Sequence, residues 1–96
     1  MASYKLSNQA KEDLIRIHHY GVLKFGEAQA DRYFDNFFNF FELIAQRPLS
    51  VEAVDFLKPG YRRCVCGVDS IFYKINGTSV EIMTILGRQD IELILK

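Results

Sequence analysis

Apolar and polar positions follow two different periods along this chain, and the change of period divides it. From Asn8 to about Phe25, Ala10, Leu14, Ile17 and Phe25 recur at the spacing that holds side chains on one side of an α-helix, with Gly21 allowing a neighbour to approach closely. Ser7 stands where its hydroxyl can accept an orphan amide of the first turn, and Gly26 follows as a left-handed cap. Ile15 and Val22 fall on a second arc of the same helix. A second helix is predicted from about Glu27 to Arg47, with Glu27 and Asp31 near its positive end, Arg47 near its negative end, and Pro48 stopping it. Its stripe of Ala30, Tyr33, Phe34, Phe37, Phe38, Phe41, Ile44 and Ala45 is wide. Phe40 and Leu43 lie beyond that stripe, leaving more apolar surface than one sheet and one neighbouring helix would cover.

After Pro59 the period changes to that of strands. Gly60 to Cys66, Asp69 to Ile75 and Ser79 to Leu86 are rich in β-branched and aromatic residues, with Gly67 and Asn76-Gly77 in the gaps. Asn-Gly between two such runs predicts a tight hairpin, read as a type I′ turn, so the three runs form an antiparallel meander. Tyr4-Lys5-Leu6 is a further short strand. Leu49 to Lys58 has a weak pattern, in which Ala53 to Leu57 forms an edge strand or an irregular connection. The apolar run from Asp90 to Leu95 suits a helical turn or a strand. The fold class is therefore α+β: two antiparallel helices packed on an antiparallel sheet of about four strands. No repeat or flexible linker divides residues 1–96, which read as a single domain.

Charge narrows the function classes. Twelve Lys plus Arg balance twelve Asp plus Glu, which removes the broad attraction to phosphate that nucleic-acid binders show. No stretch has the length of a signal peptide or membrane span, so a cytoplasmic, membrane-free setting is expected. Cys64 and Cys66 share one face of a strand too far apart for an unstrained mutual disulfide, and read as reduced, buried thiols.

Catalytic and metal constellations find little support. His18 and His19 are adjacent on a helix and project about 100° apart, unlike the i, i+4 pair of a helical metal site. Two cysteines without a second ligand pair do not make a zinc site. Gly-rich phosphate loops, nucleophile elbows and strand-borne carboxylate pairs are missing, so no catalytic residue, metal or cofactor is assigned. What remains is a basic set, Lys58, Arg62, Arg63, Lys74 and Arg88, around the strands. Arg62 and Arg63 must face opposite sides of their strand. The set is either a solvated surface with weak ion pairs to Asp55, Asp69, Glu81 or Asp90, or an anion or partner site built from guanidinium forks.

Five ordered pieces resemble the ParE toxins. They are Leu6-Ser7-x-x-Ala10-x-x-Asp13-Leu14-x-x-Ile17-x-x-Tyr20, Phe25-Gly26-x-x-Gln29-Ala30-x-x-Tyr33, Pro59-Gly60-Tyr61-Arg62-Arg63, Ile71-Phe72-Tyr73-Lys74-Ile75 and Ile85-Leu86-Gly87-Arg88-Gln89-Asp90. Gly67-Val68-Asp69-Ser70 stands where many ParE sequences have Gly-Ser-His, and Leu86-Gly87 where many have Leu-His. The resemblance implies the RelE/ParE fold and the toxin of a type II toxin–antitoxin module, silenced in a tight complex by an antitoxin encoded beside it. It also implies action on DNA gyrase by binding rather than by a reaction, with no direct sequence-specific nucleic-acid contact. The alternatives are a RelE-like ribosome-dependent mRNA endonuclease and a decayed, non-toxic interaction module. The last tyrosine is Tyr73 and no histidine follows it, so a late proton-transfer group for phosphodiester cleavage is lacking. Candidate target-contact residues are Arg62, Arg63, Arg88, Gln89 and Asp90. Candidate antitoxin-binding residues are Ile15, Val22, Phe40 and Leu43 on the helices, and the sheet edge offers a place for an added strand.

Overall fold

The computed structural model describes residues 3–49 and 59–87. Two helices lie against one face of a four-stranded sheet. In chain order these are β1 (Ser3–Leu6), α1 (Asn8–Phe25), α2 (Glu27–Gln46), β2 (Arg62–Cys66), β3 (Asp69–Asn76) and β4 (Ser79–Gly87). The expectations for Ala53–Leu57, for Lys58 and for the run from Arg88 onward fall outside the described residues.

Local chemistry sets the helix ends. The Ala10 amide donates to Ser7 Oγ at 3.0 Å, satisfying a first-turn donor. Gly26, at φ +91°, serves both helices: its N–H donates to Val22 O, and its own carbonyl accepts from Ala30 N. A residue with a Cβ would be strained at that φ, which is why the hairpin turns on glycine. The hairpin closes tightly, because a Cβ on Gly21 would sit 3.2 Å from the Cβ of Ala30.

The strands order as β1-β4-β3-β2. β2, β3 and β4 form the expected antiparallel meander, but β1 joins β4 in parallel, pairing Ser3 with Ser79 and Leu6 with Ile82. The sheet is therefore mixed rather than wholly antiparallel. Parallel neighbours need a long crossover, and the helical hairpin begins it. The turn after β3 also differs from the expected type I′. Asn76 pairs with Ser79, so Gly77 and Thr78 are the central residues, and of these only Gly77 has positive φ, at +64°. That is the pattern of a type II′ turn. The β2–β3 turn repeats it, with Gly67 at +62° ahead of Val68.

The core gathers Ala10, Leu14 and Ile17 from α1, Phe37, Phe41 and Ile44 from α2, and Cys64, Cys66, Ile71, Tyr73, Val80, Ile82 and Ile85 from the sheet. Phe25, expected on the buried stripe, is 57% exposed. It occupies the last turn of α1 and lines the open cavity at the hairpin tip, so it has no sheet beneath it. A bulge breaks the alternation of β4: Phe72 pairs with Thr84 but Tyr73 with Ile82, leaving Met83 as the extra residue. The shift lets Ile82 and Ile85, three apart, both reach the core.

Candidate functional site

Hydrogen bonds from Ser7 at the start of α1 and from Asp13 within it fasten the bulge in β4. Ser7 N–H donates to Ile82 O at 3.0 Å, and Ser7 Oγ donates to Met83 O at 2.7 Å. Asp13, only 4% exposed, accepts at Oδ2 from Thr84 Oγ1 at 2.6 Å and from the Ile85 amide at 2.9 Å. Its other oxygen accepts from Gln9 Nε2 at 2.9 Å and lies 3.6 Å from Arg16 Nη2. Arg16 Nη2 donates in turn to Ile85 O at 3.2 Å. A buried carboxylate is costly unless its lone pairs are filled, and here four groups fill them. These bonds fasten β4 from Ile82 to Ile85, and Gly87, which pairs with Asp69, is the last described residue before Arg88, Gln89 and Asp90.

Beside that end, the hairpin tip overhangs the β2–β3 turn and encloses an open cavity lined by Arg16, Tyr20, Arg32, Tyr33, Asn36 and Gly87. Tyr33 closes one side. Its hydroxyl lies 2.9 Å from Cys66 O and 2.8 Å from Asp69 Oδ2, one proton shared between two acceptors. Burial first, then the bond to Asp69 and the charge of that carboxylate, push the Tyr33 hydroxyl well above the usual phenol range. A Cβ on Gly67 would meet the Tyr33 hydroxyl at 2.7 Å and its ring at 2.8 Å, so glycine is required there by space as well as by φ. Sequence reasoning placed Tyr33 among the apolar stripe and missed its polar role. It also left Asp69 as a partner for arginine.

Two thiols and a second phenol near this region are shifted toward their protonated forms. Burial pushes the Cys66 thiol up from its ordinary 9.0 to about 11, helped by the neighbouring Cys64 and Asp69. Burial alone raises Cys64. Burial also lifts the Tyr73 hydroxyl to about 12, the nearby charge of Arg62 withdrawing only part of that rise. Tyr73 donates to Pro48 O at 2.7 Å.

Arg62 and Arg63 face opposite sides of β2, as strand alternation requires. Arg62 pairs across the ladder with Tyr73 and Arg63 with Phe72, and Arg63 Nε donates to Ser70 Oγ at 3.1 Å. Both begin β2, whereas Gly87 sits opposite Asp69, which pairs with the last residue of β2. The structure thus sets the arginine pair two strands across from β4 and at the far end of β2 from the level of Gly87. Lys74 is exposed, with its ammonium 5.3 Å from the Tyr61 ring centre.

The four candidate residues on the helices divide between two surfaces. Ile15 is 68% exposed and Val22 half-buried on α1. On α2, Phe40 is half-buried against the core and Leu43 is 55% exposed. In helical phase Phe40 lies beside Tyr33, whose hydroxyl marks the flank facing β2, while Phe34 against the His18 ring marks the flank facing α1. Phe40 and Leu43 therefore border the β2 side, and Ile15 and Val22 the outer groove of the hairpin. His18 is half-buried and pairs with Asp31, while His19 is exposed. Among the described residues, no group of three His, Cys, Asp or Glu side chains is placed to hold a metal ion, and no helix is long and apolar enough to cross a membrane.

A helical hairpin on a four-stranded mixed sheet is the architecture of the RelE/ParE toxins. The sequence model of the family described as the ParE toxin of type II toxin–antitoxin systems matches residues 4–92. The curated Toxin ParE1 of Caulobacter vibrioides is 37% identical over 86 residues, which cover 90% of this chain and 88% of that protein. The chain belongs to the ParE toxin family. Two solved structures share its fold. One is a chromosomal ParDE toxin–antitoxin system of P. aeruginosa, with a TM-score of 0.80 at 20% identity, covering 91% of this chain and 96% of that one. The other is the RelBE2 toxin–antitoxin complex of Mycobacterium tuberculosis, with a TM-score of 0.65 at 18% identity, covering 91% and 98%.

Proposed function

We propose that this protein arrests bacterial growth by binding DNA gyrase in the cytoplasm, and that an antitoxin encoded beside it holds it silent. Family membership supplies the class; the state of the titratable groups favours binding over chemistry. Cys66, Tyr73 and Tyr33 all cluster near the sheet and all are driven toward their protonated forms. General acid–base work needs a group whose pKa lies near the operating pH. Arginines in this setting serve as forks for an acidic protein surface or for phosphates in a target complex. Arg62, Arg63 and Arg88, with Gln89 and Asp90, are the proposed target contacts, and Asp13 and Arg16 hold the strand that delivers the last three.

Controlled expression in a bacterium, followed by a supercoiling assay with purified gyrase, tests this reading. Growth arrest with filamentation and loss of supercoiling is expected. Immediate loss of translation would indicate the ribonuclease reading instead, and undisturbed growth a decayed module. A chain ending at Gly87 should bind the antitoxin yet lose toxicity, and full toxicity of that folded, shortened chain would remove the tail from the target contacts.

A further inference from the structure

The open cavity at the hairpin tip measures about 1070 Å³, at the upper limit of small-ligand sites. Two guanidinium groups line it from different helices, Arg16 of α1 and Arg32 of α2. Arg16 engages Ile85 O and Asp13 through Nη2 alone, and about half of its side chain is open to solvent. Arg32 is exposed and forms no ion pair or hydrogen bond among the described residues. On the same wall of α2, the exposed side-chain amides of Gln29 and Asn36 have no hydrogen-bond partner among the described residues. The rings of Tyr20 and Phe25 are exposed in this lining, and Lys24 holds its ammonium 5.6 Å from the Tyr20 ring centre. On the sheet side Gly67 and Gly87 add no side chain, so that wall stays open to close approach.

Two carboxylates share the lining. Asp69 accepts from Tyr33, and Asp35 forms no ion pair among the described residues. With charges so balanced, long-range capture of a polyanion is weak and recognition falls to short-range contacts. Guanidinium forks match phosphate oxygens. Exposed rings offer their faces to an unstacked base, and side-chain amides pair with a base edge. An acidic peptide would use the forks and leave the rings and amides without a role, and a duplex keeps its bases stacked out of their reach. We infer that this cavity binds a nucleotide unit with an unstacked base, its phosphate on Arg16 and Arg32, its base against Tyr20 and Phe25, and its base edge toward Gln29 and Asn36. The unit is either a free nucleotide or part of a single strand. Stacking of this kind tolerates any base, so it needs no sequence-specific contact. The inference stands apart from the growth-arrest reading and is tested without gyrase or antitoxin.

The test measures fluorescence anisotropy of a short labelled oligothymidylate with the purified full chain. Binding at low salt is expected, weakening as salt rises with a logarithmic slope of about −1.4 for two phosphate contacts. Arg32→Gln should weaken it about fivefold and reduce that slope by about 0.7. Tyr20→Ala should cost about tenfold, while Tyr20→Phe, which keeps the stacking face, should stay within about twofold. Asp35→Asn, which removes the opposing carboxylate, should strengthen binding about twofold. All these positions are exposed, so the melting temperature should hold. Unlabelled thymidine monophosphate separates the sources: displacement by it upholds the site for free nucleotides, and displacement by unlabelled oligothymidylate alone upholds it for strands. Three results would overturn the inference: no binding at low salt, equal displacement by polyglutamate or by a blunt duplex, and an equal loss from Lys11→Gln, an exposed cation at the other end of α1.

Discussion

Asp13 and Ile15 are two residues apart on one helix and have opposite surroundings. Asp13 is 4% exposed and fills its oxygens with Gln9, Thr84 and the Ile85 amide, while Ile15 is 68% exposed and lies outside the core cluster. Hydropathy alone would have exchanged them. The inner side of α1 is polar where it must satisfy a bulged strand, and its outer side carries Ile15 and Leu23 exposed among the described residues. A carboxylate is buried here because the bulge leaves backbone donors that only an acceptor can fill. An isoleucine is exposed because the hairpin has a second face. The inner side therefore holds the fold, and the outer side is the place to look for a partner.

The widest test of that contrast removes the polar fastening. Asp13→Ala strands the Ile85 amide and the Thr84 hydroxyl in a buried place and should cost about 3 kcal/mol in chemical denaturation. A loss below about 0.5 kcal/mol, the usual range for surface positions, would show that the β4 bulge is held by packing alone. Gly67→Ala comes next, at about 2 kcal/mol, because the new Cβ meets Tyr33 and the residue is held at positive φ. Tyr33→Phe should not rescue it, since ring atom Cε1 lies as near as 2.8 Å. Substantial rescue would mean that the hydroxyl alone sets the contact.

A smaller, pH-dependent effect belongs to the inner side only. Cys66 and Tyr73 both have folded values raised above their ordinary 9.0 and 10.0, to about 11 and about 12. Each favours the fold fully below its ordinary value, and that contribution is lost as pH rises through the folded one. Stability should therefore decline from about pH 9 to about pH 12, followed by thermal unfolding across that window. Cys66→Ala should flatten the lower part of the decline; an unchanged profile in that variant would show that the thiol is not its source.

Much of the inner side was legible because it is local. Ser7 as a cap, Gly26 as the hairpin turn, Pro48 beyond α2 and the alternation that parts Arg62 from Arg63 each follow from a few neighbouring residues. The parallel pairing of β1 with β4 was not, because strands 76 residues apart leave no local mark of their direction. The bulge did leave one: Ile82 and Ile85 break the two-residue period of a strand. Asp13 left another, an acid on the flank of the arc that holds Ala10, Leu14 and Ile17. Tyr33 and Asp69 gave none, since their bond exists only once α2 lies over the β2–β3 turn. Of the five proposed target contacts, Arg62 and Arg63 lie among the described residues, two strands across from β4 and at the far end of β2 from Gly87.

The smallest effect on stability is expected where the sequence looks most like core. Ile15→Ser deletes a large apolar side chain, yet two-thirds of it already faces solvent, so little transfer free energy is lost and no cavity forms. A change within about 0.5 kcal/mol is expected, whereas Leu14→Ala, one residue away and 4% exposed, should cost about 3 kcal/mol. Measured together by urea denaturation, the neighbouring pair isolates the phase of the helix from its composition. If Ile15→Ser approached the cost of Leu14→Ala, Ile15 would have to be packed against the folded chain, and the outer groove would lose its apolar wall. If instead it is silent in stability and weakens antitoxin binding, the exposed isoleucine serves a partner and not the fold.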